Sequence, residues 1–78
     1  MEIQVNDDVT LKFKNDVIVE VFESEDFELD NPIEELFTKD EVIEIVVFGV
    51  DDIKIDVQFG DGSIAFIRKN LVDIVSVN

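Results

Sequence analysis

The strongest constraint on this chain is a two-residue alternation of apolar and polar side chains, repeated along most of its length. Ile53, Ile55, Val57 and Phe59 alternate with Lys54, Asp56 and Gln58, and Val9, Leu11 and Phe13 alternate with Thr10, Lys12 and Lys14. Successive side chains of a strand point to opposite faces, so this period marks strands with one covered face. Val17–Phe22 carries a weaker version of the pattern, and a further strand runs from Ser63 to about Arg68. Val42–Phe48 is almost wholly apolar and reads as a strand covered on both faces. Val72–Val77 is apolar with Asp73 and Ser76 interspersed, and Ile3–Val5 reads as a short addition to an edge.

The clearest reversal is Gly60-Asp61-Gly62. A three-residue loop pairs Phe59 with Ser63 and sets Ile64 and Phe66 opposite in face to Ile55 and Val57. A two-residue Asp61-Gly62 turn pairs Gly60 with Ser63 and gathers the large apolar groups on one side. A slip of one residue flips every side chain, so burial favours the second register, and Asp-Gly suits a type I′ turn.

Charge is placed unevenly. Glu20 to Glu44 holds eleven carboxylates and one base, Lys39, so this segment carries ten of the fourteen net negative charges. Within it, Asn31, Pro32 and Glu34 have the order of a helix cap, first helical residue and capping-box acid. Ile33, Leu36 and Phe37 then fall on one face at helical spacing, so a short helix is expected over 32–41. Upstream, Glu23, Glu25, Asp26, Glu28 and Asp30 form an extended acidic row that Phe27 and Leu29 would pin down.

Composition narrows the function classes. The chain has no Cys and no His, which removes disulfides, thiolate metal sites and thiol or imidazole catalysis. A single domain of 78 residues must therefore stabilise itself by packing, helped or not by oligomerisation. Met1-Glu2-Ile3-Gln4 lacks the basic region and apolar core of a signal peptide, so a soluble, cytoplasmic protein is expected. The acidity argues against contact with nucleic acid or anionic lipid, which require Lys and Arg. Asp51, Asp52 and Asp61 adjoin turns, where aspartate serves backbone hydrogen bonding, and the order of a calcium loop is absent. No cofactor, metal site or catalytic group is expected.

The order of elements resembles that of SH3-like small barrels. Strand 9–14 precedes a long excursion at 15–41, three consecutive strands follow, and Lys69-Asn70-Leu71 stands where a short 3₁₀ turn precedes the last strand. The resemblance implies an all-β barrel of five to six strands, with one short helix and an enlarged acidic first loop. The proline-rich-peptide and methyl-lysine roles of such barrels need aromatic grooves or cages, and this chain has no Trp or Tyr.

The acidic segment is the remaining functional signal. Alternate residues of an extended chain lie about 6.7 Å apart on one face, similar to the phosphate spacing of a nucleic-acid strand. The expected function is a non-enzymatic binding protein that occludes a basic, nucleic-acid-binding protein surface. In character this is similar to phage-type DNA-mimic inhibitors and to immunity proteins. The contact set would be Glu23, Glu25, Asp26, Glu28, Asp30, Glu34, Glu35, Asp40 and Glu41. The alternative is an assembly module that self-associates, for example as a homodimer, through an edge strand at 17–22.

Overall fold

The computed structural model describes residues 2–23 and 31–78. These form seven antiparallel strands in one sheet: β1 (Asp8–Phe13), β2 (Val17–Phe22), β3 (Ile33–Phe37), β4 (Val42–Val50), β5 (Lys54–Gln58), β6 (Ile64–Arg68) and β7 (Val72–Val77). A 3₁₀ turn at Lys69–Leu71 separates β6 from β7, at the break expected there. The strand order is β3-β2-β6-β5-β4-β1-β7.

One face of every strand contributes to one core. Val9, Leu11 and Phe13 of β1 meet Ile45 and Val47 of β4, Ile55 and Val57 of β5, and Ala65 and Ile67 of β6. Val19 and Val21 of β2, Phe37 of β3 and Val72 of β7 complete it. A single sheet can bury one face only by curling, and the aromatic stack records that curl. Phe37, from one end of the strand order, lies 4.7 Å from Phe13 on β1, five strands away, with ring planes 10° apart. Phe59 extends the stack at 6.2 Å from Phe37. The Asp40 amide donates to the Phe13 carbonyl across the same seam. The end strands β3 and β7 do not pair with each other, so the sheet is not closed into the expected barrel by a continuous ladder.

Four expectations about local structure are corrected. Residues 33–37 form a strand instead of a helix, paired with β2 from Val17↔Phe37 to Val21↔Ile33. A helix of about ten residues is too short to persist alone, and a neighbouring strand with unpaired backbone is the stronger partner. Pro32 is compatible with this outcome, because proline is tolerated immediately before an edge strand. Of the three presumed anchors only Phe37 is buried, while Ile33 and Leu36 are 48% and 61% exposed.

The β5–β6 turn takes the three-residue register. Gln58 pairs with Ile64, Val57 with Ala65 and Ile55 with Ile67. The Gly62 amide donates to the Phe59 carbonyl at 2.9 Å, and the Phe59 amide donates to the Ser63 carbonyl at 2.8 Å. Gly62 has φ +92°, a left-handed conformation that glycine adopts without steric cost. The competing register assumes that only one face of this hairpin is covered. In fact Ile64 is fully buried on the other face, and Phe66 there lies 5.9 Å from Phe22 and beneath the Lys54 ammonium.

β4 is covered on one face only. Ile45 and Val47 are buried, while Val42 and Phe48 are 52% and 41% exposed. The register shifts between Val47 and Gly49, so Phe48 is the extra residue of a bulge. Ile3–Val5 forms no strand, and a turn follows in which the Asp7 carboxylate and amide bond to the backbone of Gln4.

Candidate functional site

The β2–β3 hairpin carries the described part of the expected acidic surface. Glu34 and Glu35 stand on β3, at the end of the strand order, and both are exposed. Being in a strand, they point to opposite faces. Glu34 lies directly across from Glu20 on β2, and Glu35 lies across from Val19. Like charges directly opposite each other in a sheet are destabilising. Next to the Glu20–Glu34 pair on the same face, Ile18 sits opposite Leu36, and both are about three-fifths exposed. The outward face of the hairpin therefore presents an acidic pair beside an apolar pair, on a support fixed by buried Phe37, Val19 and Val21.

The other expected residues divide by environment. Glu23 is exposed immediately after β2. Glu25, Asp26, Glu28 and Asp30, with their presumed anchors Phe27 and Leu29, lie outside the described residues. Asp40 is exposed but stands 3.6 Å from the Lys12 ammonium, at a turn position with φ +71°. Glu41 closes that turn: its carboxylate accepts from the Thr38 amide at 3.0 Å and the Thr38 hydroxyl at 3.3 Å. Asp40 and Glu41 thus serve local structure, and the open charges on the hairpin are Glu34 and Glu35, joined by Glu20. Sequence reading assigned Glu20 to a strand but could not place it opposite Glu34, because the helix expectation removed its partner strand.

A second acidic grouping was not anticipated. Glu2, Asp51, Asp52 and Asp73 line a groove of about 650 Å³ beside the β4–β5 turn and β7. Asp51 organises the turn: one carboxylate oxygen accepts from the Ile53 and Lys54 amides, each at 2.8 Å. Those backbone bonds hold its carboxyl below the ordinary value of 3.8, with the nearby Lys54 charge assisting. These acids come from the N-terminus, a turn and the last strand, so only the folded sheet order brings them together. Among the described residues, no three carboxylates converge closely enough to hold a metal ion.

On the outer face of β5–β6, the Lys54 ammonium donates to Asp56 at 2.9 Å and lies 5.2 Å from the Phe66 ring centroid. The Asp56 bond holds the ammonium pKa above its ordinary value of 10.5. Asp61 accepts from the Ser63 hydroxyl at 2.5 Å and the Ser63 amide at 2.9 Å, and these bonds hold its carboxyl below 3.8. Ser63 is the buried polar residue of this region, and Asp61 satisfies it. Both clusters shape the fold.

Among the described residues, no helix is long and apolar enough to cross a membrane. No protein-family model, curated protein or solved structure matches the chain significantly.

Proposed function

We propose that this chain is a non-enzymatic acidic binding protein that occludes the basic, nucleic-acid-binding surface of a partner protein, in the manner of a DNA-mimic or immunity-type inhibitor. The observation that carries the reading is the direct opposition of Glu20 and Glu34 on the exposed face of β2–β3. This pairing costs folding energy, and a cationic partner placed over it relieves that cost. Ile18 and Leu36 beside it supply apolar contact area. Electrostatic steering would bring the partner in, and burial of the Ile18–Leu36 pair would hold it.

The fold reading that accompanies this proposal is an SH3-like architecture with an open seam between β3 and β7. Its support is the strand order β7-β1-β4-β5-β6 and the 3₁₀ turn before β7. On this reading β2 and β3 are the arms of the enlarged first loop.

The alternative of self-association through an edge strand needs a different strand. β2 is interior to the order, between β3 and β6, so among the described residues the open edges are β3 and β7. β7 has one acid, Asp73, and exposed Val75, and it is the better candidate for edge pairing.

A low-salt pull-down tests the proposal, with competing duplex DNA and a rising salt gradient. The expected result is a basic protein released both by the duplex and by salt. Its capture should fall when Glu25, Asp26, Glu28 and Asp30 are neutralised together with Glu34 and Glu35. Capture that survives this change contradicts the proposal.

A further inference from the structure

The groove beside β7 shares no residue with the β2–β3 face. Its floor opens onto the core, where Ile55 is 1% and Val72 5% exposed, and Ile3, Val50 and Ile74 flank it. Its rim carries the Glu2, Asp51, Asp52 and Asp73 carboxylates against one ammonium, Lys69. Two of these acids are engaged elsewhere. Asp51 caps the turn backbone, and Asp73 stands 3.6 Å from Lys14. Among the described residues Glu2 and Asp52 make no ion pair, and both are exposed.

An apolar floor under an anionic rim has a defined complement. A hydrated small cation gains nothing from the floor, and the acids do not converge on a metal. An aliphatic side chain alone gains nothing from the rim. A long basic side chain satisfies both, laying its methylene stem on apolar surface while its charged head stays among carboxylates. A second copy of this chain is a poor occupant, since each copy carries fourteen net negative charges. The volume of about 650 Å³ exceeds one side chain and accommodates part of an extended backbone with it.

We infer that this groove docks an arginine or lysine side chain presented by an extended basic segment of a partner protein, with Glu2 and Asp52 receiving the charge and Ile3, Val50 and Ile74 receiving the stem. The site is independent of the β2–β3 surface and gives the molecule a second cationic contact on a separate part of the sheet. Two modest sites on one rigid body raise the affinity for a partner that reaches both.

Amide chemical-shift mapping tests this with three probes on the full chain: a blocked Val-Arg-Val peptide, a blocked Val-norleucine-Val peptide and guanidinium chloride. The arginine peptide should shift the amides of Val50–Asp52, Ile55 and Val72–Ile74. Glu2→Gln with Asp52→Asn should weaken that binding by about three- to tenfold, as expected for two exposed charges, without changing the fold. The norleucine peptide and guanidinium should each bind more weakly than the arginine peptide. Three results overturn the inference: shifts confined to β2 and β3, affinity unchanged in the double variant, or guanidinium matching the peptide. Sedimentation that shows dimers, with groove amides shifting as protein concentration rises without peptide, overturns it in favour of a second copy.

Discussion

Gly49 shows how one residue type is fixed by a neighbour's side chain. It follows the Phe48 bulge and pairs with Asp56 across β4–β5. A Cβ at this position would lie 2.7 Å from an Asp56 carboxylate oxygen, and the other oxygen of that group holds the Lys54 ammonium at 2.9 Å. Gly49→Ala must therefore shift the Asp56 carboxylate, and where that shift breaks the bond to Lys54, overpacking of this kind costs about 1–3 kcal/mol. Denaturant unfolding should show that loss. An unchanged midpoint would mean Asp56 relaxes without consequence. Asp61 gives a second residue-scale expectation. Its carboxyl is held below 3.8 by bonds from Ser63, so its contribution is present above the unfolded-state value and is lost as pH falls through the depressed folded value. The stability gap between the native chain and Asp61→Asn should be constant near neutrality and shrink below about pH 3.8. A gap that closes near pH 6 would point to another group.

At the scale of the element, the β2–β3 hairpin hangs on Phe37, the buried residue of β3. Phe37→Ala should cost about 3–5 kcal/mol, as for other buried aromatics. It should also raise amide exchange in Val17–Phe22 and Ile33–Phe37 more than in β5 and β6. Leu36→Ala, at an exposed position, should stay within about 0.5 kcal/mol. The helix expected over 32–41 would make the two substitutions comparable, so the contrast between them also tests the strand assignment. This segment shows where sequence reading stops. The bounds of β2 and β7 follow from the alternation, because tertiary context agrees with local pattern there. Residues 32–37 carry a helical cap and helical apolar spacing with no strand alternation, and the deciding term is the unpaired edge of β2, which no local window contains. The β5–β6 register fails for a related reason. Apolar count alone cannot reveal that Ile64 and Phe66 have a covered face of their own, supplied in part by Phe22 from β2. For the site, the acids of the hairpin were legible as a charge excess. Their division into open charges (Glu20, Glu34, Glu35) and turn-closing ones (Asp40, Glu41) depended on the strand pairing.

For the whole molecule, fourteen net negative charges on a body with a Cα radius of gyration of 11.6 Å make self-repulsion a general cost of folding. Salt screens it over a Debye length of about 8 Å near physiological ionic strength. Tm should rise with sodium chloride, by about 4–8 °C for each kcal/mol of repulsion relieved, while capture of a basic partner weakens. A Tm independent of salt would mean the carboxylates interact little. The most direct test of the account is one variant, Glu20→Gln with Glu34→Gln, read by Tm and by low-salt partner capture together. The account predicts that Tm rises, because opposed charges on β2–β3 are removed, and that capture falls. An unchanged or lower Tm together with undiminished capture would contradict the claim that this face holds its charge for a basic partner.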